Sequence, residues 1–272
     1  MQIELKPMNY KENDYGLPED ILRISPSSIY EFTSRKWDWY RSQILKEELF
    51  TGNTASVLGS CIHRVAEVYI KKNTLDLDEL TEYVNSQTNP EIDKEYILSQ
   101  IKPMANALIY FFNLYGKPTK SEEIVKYKLS DKVYLAGTYD ALMGDILIDF
   151  KTTSRLNAPT EIPMNYKWQL LSYAYALRLN GVNVNKVRIV WITTHETNRI
   201  SEKTGKPMKD YPSTVSMVTD VITDDDIRFI DEYLKLITET YEASLKYPEL
   251  TYLLYSDYRL KDISKFDNPF SK

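Results

Sequence analysis

Apolar positions recur at helical spacing in the first part of the chain and then switch to alternation, so the pattern predicts helices, a strand meander, and a closing helix and strand. The stretch up to about Arg23 is rich in Pro, Asn and Asp and reads as an extended arm. Ser25-Pro26-Ser27-Ser28 then opens a helix through Ile29, Phe32, Trp37 and Tyr40, with proline in the first turn and Ser28 and Glu31 spaced for a capping box. A second helix over 55–72 carries the stripe Leu58, Cys61, Ile62, Val65 and Tyr69. Two more are predicted over 76–86 and 94–115, the latter kinked at Pro103. After Gly116-Lys-Pro118 the period becomes two, giving strands over 123–129, 133–140 and 146–151. A helix follows over 166–179, closed by Asn180-Gly181. An apolar strand over 186–193, a polar loop over 195–212, a strand over 213–221 and a long helix capped at Thr223 complete the chain.

This order predicts an α/β protein with a mixed sheet. At 272 residues the chain is expected to be one domain. It divides into an arm (1–24), a helical segment (25–116), a sheet core (122–222) and a C-terminal helix and tail (223–272). Hydrophobic residues make up 43% and charged residues 27%, an ordinary balance for a globular domain. No apolar run approaches membrane-span length, and the N-terminus lacks the basic start and apolar stretch of a signal peptide. Cys61 is the only cysteine, which excludes an intrachain disulfide and a Cys-ligated zinc or iron–sulfur site within one chain. A cytoplasmic location, with no membrane association, is the resulting expectation. The net charge of −5 argues against broad polyanion binding, but it leaves room for basic residues gathered on one face.

The candidate chemistry lies at the centre of the meander. Gly144-Asp145 has the composition of a two-residue hairpin turn between apolar runs. Pairing outward from it sets Asp140 across from Asp149, with Cβ atoms roughly 5 Å apart. Strand alternation puts Lys151 on the face of Asp149. Two carboxylates this close repel unless one keeps a proton or a cation sits between them. A hard divalent cation with oxygen ligands resolves the repulsion, and a lysine beside it suits metal-assisted hydrolysis. On the 55–72 helix, His63 shares a face with Gly59 and Glu67, and Gly59 leaves space for close approach. On the 166–179 helix, Gln169 and Tyr173 share a face.

Taken in order, Gly59-x-x-x-His63, Gly137-x-x-Asp140, Asp149-x-Lys151 and Gln169-x-x-x-Tyr173 resemble the RecB-like branch of the PD-(D/E)XK nucleases, over roughly residues 25–195. Asp-x-Lys alone occurs by chance; the ordered set on suitable elements is far more specific. The resemblance implies a restriction-endonuclease-like core, a mixed central sheet flanked by helices, with an N-terminal helical segment. It also implies a site for magnesium or manganese. Asp140 and Asp149 would ligate metal, the backbone carbonyl of Phe150 would add an oxygen, and His63 would be a further ligand. Lys151 would position or activate the attacking water, while Gln169 and Tyr173 would position the site and the nucleic-acid strand. Glu123 is a looser supporting carboxylate. Several members hold an iron–sulfur cluster; the cysteines for it are missing here, so no cluster is expected.

The implied function is a metal-dependent deoxyribonuclease acting on single- or double-stranded DNA, an exonuclease in replication, recombination or repair. A separate helicase or recombination protein is a conceivable partner, since the chain has no phosphate-binding loop of its own. The alternatives are a structure-specific endonuclease of the same fold and a non-catalytic nucleic-acid-binding protein on that scaffold. Two surface candidates accompany the site: Arg35, Lys36, Trp37, Trp39 and Arg41 as a strand-binding face, and the loop cations Arg199, Lys203, Lys206 and Lys209 as a phosphate clamp. Solvated charges are the plainer reading of both, and His195 reads as a surface residue.

Overall fold

In the computed structural model the described residues are Leu5, Met8, 15–155, 158–201 and 203–256. The helical segment contains α1 (Glu31–Ser34), α2 (Lys36–Gln43), α3 (Thr54–Lys72), α4 (Leu77–Asn85) and α5 (Lys94–Tyr115). The sheet contains β1 (Leu22–Ile24), β2 (Lys120–Lys128), β3 (Val133–Met143), β4 (Ile146–Thr153), β5 (Lys186–Thr193) and β6 (Val215–Val221). Helix α6 (Met164–Leu179) joins β4 to β5, and α7 (Asp224–Lys246) and α8 (Thr251–Tyr255) follow the sheet.

The mixed sheet runs β1-β3-β4-β5-β6, with β2 also on β3. β2–β3, β3–β4 and β5–β6 are antiparallel, and β1–β3 and β4–β5 are parallel. β4 and β5 are central and buried on both faces, hence their nearly unbroken apolar runs. Alternate residues of β4 serve two cores. Leu147 faces a core built with α6 and α7, whereas Ile148 and Phe150 face a core built with α3, α4 and α5.

Gly144 takes φ +61 in the β3–β4 turn, a conformation glycine enters without a Cβ clash. Ladder pairing from this turn covers Met143–Ile146, Leu142–Leu147 and Ala141–Ile148, and ends there, one pair short of the predicted Asp140–Asp149. Beyond that point β4 pairs with β5 along its whole length, while the early residues of β3 pair with β1. The two strands therefore part just where the carboxylates begin.

Several expectations needed revision. Leu22–Ile24, read as the end of an arm, is a strand parallel to the start of β3. Its three residues are too few to show periodicity. The single helix expected from Ser25 to Tyr40 is three pieces, a 3-10 turn (Pro26–Ser28), α1 and α2. Arg35, at φ −151 and ψ 65, breaks it. The Ser28–Glu31 capping box does not form, because Ser28 donates instead to the Ser25 carbonyl at 2.9 Å. Helix α5 holds Pro103 in its interior, as the sequence placed it. The loop over 195–212 is a hairpin extension of β5 and β6, with antiparallel bridges Glu196–Tyr211 and Ile200–Pro207. The other elements match their predicted types within a few residues.

Candidate metal and nuclease centre

Where β3 and β4 diverge, the Asp140 side chain replaces the ladder: Phe150 N–H donates to Asp140 Oδ2 at 2.8 Å. Helix α3, fixed on the sheet by the apolar stripe predicted for it, brings His63 Nδ1 to 3.3 Å from the same oxygen. Gly59, one turn earlier, is not sterically required by its described neighbours, since a Cβ there would stand 3.7 Å from Thr152 Oγ1. Glu67 is turned away, paired with Arg64 and Lys71.

Asp149 and Lys151 share the other face of β4, as alternation predicts. Lys151 Nζ lies 2.9 Å from Asp149 Oδ1 and 2.8 Å from Oδ2. Gln169, from α6, donates to Asp149 Oδ1 at 3.1 Å. The ring of Tyr166, one turn earlier on α6, lies 4.9 Å from Lys151 Nζ. Tyr173 is buried, and its hydroxyl donates to the Thr138 carbonyl at 2.7 Å. The ring lies over Gly137, where a Cβ would stand 2.7 Å from Tyr173 Oη and 2.9 Å from Pro26 Cδ. So Gly137 is needed for space, and Tyr173 braces the β3 backbone on either side of it.

One carboxylate is a residue the sequence reading passed over. Glu122 lies opposite Asp140 in the β2–β3 register, between the pairs Ser121–Ala141 and Glu123–Tyr139. Its φ of +51 is uncommon for a residue with a Cβ, and it interrupts the β2 alternation. Ligand atoms of His63, Glu122 and Asp140 all lie within 4.8 Å of one another. Glu123, the residue favoured from sequence, instead accepts from Tyr139 Oη at 2.8 Å and pairs with Lys120. Ideal alternation cannot tell neighbouring glutamates apart once one residue leaves the extended conformation.

The electrostatics are those of carboxylates crowded in a buried site. Burial raises the Asp149 carboxyl to about 6, against the pull of Lys151 and with the push of Asp140. Burial, then the Asp140 charge, raises Glu122 to about 8. For His63, burial acts downward, but the charge and hydrogen bond of Asp140 outweigh it and hold the imidazole at about 9. Asp140 is opposed by burial yet stays below the usual carboxylate range through His63, Lys151 and the Phe150 N–H. Burial also works against the Lys151 charge, and Asp149 and Asp140 together reverse that effect.

A divalent cation suits these residues. Asp149 Oδ2 is buried and, despite the nearby Lys151, has no hydrogen bond of acceptable geometry. A carboxylate oxygen in that position costs free energy unless it gains a partner. Carboxylate oxygens with one imidazole are donors that a divalent cation takes. Among the other candidates, Trp39 is fully buried, Arg35 pairs with Glu31 and Asp38, and Arg41 pairs with Glu47 and Asp38. Trp39 thus belongs to the core, and Arg35 and Arg41 are ion-paired with acids close along the chain. Cys61 is buried, and burial pushes its thiol up to about 12, in keeping with a small core residue.

With this fold and site, residues 23–248 match the PD-(D/E)XK nuclease superfamily, and the chain belongs to that superfamily. No curated protein matches the chain. Among solved structures it is similar to a candidate exonuclease from Eubacterium rectale, with a TM-score of 0.50 and 12% identity over 95% of this chain and 89% of that one. An alkaline exonuclease from Laribacter hongkongensis gives a TM-score of 0.41 and 11% identity over 87% and 96%. A phage-related exonuclease from Haemophilus somnus gives 0.39 and 11% over 80% and 96%. Among the described residues no helix is long and apolar enough to cross a membrane.

Proposed function

We propose that this chain is a magnesium- or manganese-dependent deoxyribonuclease acting from DNA ends. The observation that carries the reading is the His63–Glu122–Asp140 cluster, together with the buried Asp149 carboxylate held by Lys151 and Gln169. Membership of a nuclease superfamily and likeness to proteins described as exonucleases support it. His63, Glu122, Asp140, Asp149 and the Phe150 carbonyl are the proposed ligands. A cation held there supplies Lewis-acid polarisation of the phosphate and eases ionisation of the attacking water.

The chain's own residues do the rest. Lys151 sets a positive charge where negative charge develops on the phosphate oxygens, and can orient the water. Gln169 fixes the rotation of Asp149, and Tyr173 fixes β3 two residues before Asp140. Water oxygen attacks phosphorus, the bond to the leaving oxygen breaks, and that oxygen takes a proton. A role in recombination or repair, with a separate helicase or recombination protein, is the finer form of the same proposal.

The test is a time course on end-labelled linear, nicked and covalently closed circular DNA with magnesium or manganese. Linear DNA should be degraded and closed circles left intact, and Lys151→Ala should abolish cleavage. Cutting of closed circles would favour a structure-specific endonuclease. Failure of the pure protein to cut any DNA with either ion would overturn the proposal.

A further inference from the structure

The β5–β6 hairpin projects from the end of the sheet at which β4 carries the site. Thr194 N–H donates to the Thr153 carbonyl at 2.9 Å. Thr153 lies two residues beyond Lys151, about 7 Å along an extended strand. The base of the hairpin is fixed to α5. Gln100 donates to the His195 carbonyl at 3.0 Å and accepts from the His195 N–H at 2.6 Å. Tyr96 Oη donates to Glu196 at 3.1 Å. His195 is therefore a structural anchor and only half-exposed.

Between this base and α5 lies a groove of about 740 Å³, lined by Lys102, Tyr110, Phe111 and Tyr115 on one side and by His195 and Pro212–Val215 on the other. Tyr110 is 69% exposed and Tyr115 53%. With Leu114, 60% exposed, they form an apolar patch along the groove, and contiguous exposed apolar patches mark interaction sites. Farther along the hairpin, beyond the base that lines the groove, lie exposed Lys203, Lys206 and Lys209. Of its described acidic residues, Glu196 is bonded to Tyr96 and Thr194, and the exposed Asp210 accepts from the Asn198 N–H. In a protein of net charge −5, an arm with exposed cations whose base lines an aromatic groove is complementary to a polyanion with flat faces.

We propose that this groove and hairpin bind an unpaired polynucleotide strand, with bases stacked on Tyr110 and Tyr115 and phosphates held by Lys203, Lys206 and Lys209. The groove has the volume of a small-ligand site, which admits one or two unpaired bases and no duplex. Sequence-tolerant stacking together with cationic contacts is the ordinary way a single strand is held. The inference rests on the nuclease reading for its substrate, but its test does not depend on cleavage.

The experiment is fluorescence anisotropy with a labelled 20-residue oligothymidylate in EDTA, at several salt concentrations. The charge reversal Lys203→Glu/Lys206→Glu should weaken binding at least tenfold and lower the salt slope by about 1.4, since each single-strand phosphate contact contributes about 0.7. Tyr110→Ala/Tyr115→Ala should weaken binding about fivefold or more with the slope unchanged. Lys235→Glu/Lys246→Glu on α7, with the same change of charge elsewhere, should stay within about twofold of wild type. The proposal is overturned if the wild type binds no oligothymidylate, or if both hairpin and tyrosine variants bind like the α7 control. A wild type that binds but never cleaves DNA would reject the nuclease reading alone. Normal cleavage with unaltered binding in the groove variants would reject the groove alone.

Discussion

Gly137→Ala is expected to be among the most damaging small substitutions in this chain. The new Cβ would stand 2.7 Å from Tyr173 Oη, 2.9 Å from Pro26 Cδ and 3.1 Å from Tyr173 Cε1. Comfortable carbon contacts begin near 3.5 Å, so the methyl overlaps rigid groups on two sides. Neither side yields easily, because the Tyr173 ring is buried in the middle of α6 and Pro26 sits in the 3-10 turn. Overpacking of this kind costs about 1–3 kcal/mol. Displacing Tyr173 also breaks its 2.7 Å bond to the Thr138 carbonyl. A buried acceptor left without its partner costs about 1–3 kcal/mol more. Restricting the unfolded chain returns about 0.4–1 kcal/mol. The net is about 2–4 kcal/mol, or a melting point lower by roughly 5–15 °C for a domain of this size. Thermal denaturation of Gly137→Ala, Tyr173→Leu and the double variant provides the assay. Removing the ring makes room for the methyl, so the double variant should be at least about 1 kcal/mol more stable than the sum of the singles predicts. Additive effects, or a Gly137→Ala melting point within about 2 °C of wild type, would refute the packing argument.

Other outcomes follow from the same geometry. Tyr173→Phe keeps the ring but strands the Thr138 carbonyl, and should lose about 1–3 kcal/mol in denaturant titration. Glu122→Gln should weaken divalent-ion binding about tenfold or more by titration calorimetry, whereas Glu123→Gln, whose carboxylate is spent on Tyr139 and Lys120, should leave it nearly unchanged. Cation uptake should release protons, because protonated His63 (about 9), Glu122 (about 8) and Asp149 (about 6) each compete with the ion. Metal affinity should therefore rise as pH goes from 6 to 9, and calorimetry in buffers of different ionisation enthalpy should show the release. A flat profile would contradict the assignment of His63 and Glu122 to the centre.

Much of the site was legible because it depends on local periodicity. The turn at Gly144-Asp145 fixed the register of β3 and β4, and alternation then put Asp149 and Lys151 on one face. Helical spacing put Gln169 and Tyr173 on one side of α6, where both reach the sheet. Glu122 was not legible, since its role depends on one left-handed residue that reverses the alternation of β2. Strand β1 escaped notice because three residues carry no period, and its place depends on a parallel partner more than a hundred residues away.

By itself, then, the sequence determined most of the elements, the class of fold and an ordered set of candidate site residues that lacked Glu122, all of which rest on interactions between residues close along the chain. Only the tertiary structure decided that β3 and β4 part beyond Ala141 and Ile148, since β4 gains more pairing from β5 and β3 is shared with β1. Beyond that point Asp140 gathers with His63 and Glu122, and Asp149 pairs with Lys151 and Gln169. The hairpin is likewise anchored at its base to α5 by contacts 95 residues apart in the chain, whereas Arg35 and Arg41 pair with acids close along the chain. Long-range contacts of this kind leave no trace in local spacing, because they are set by which surfaces bury each other once the helices have packed on the sheet.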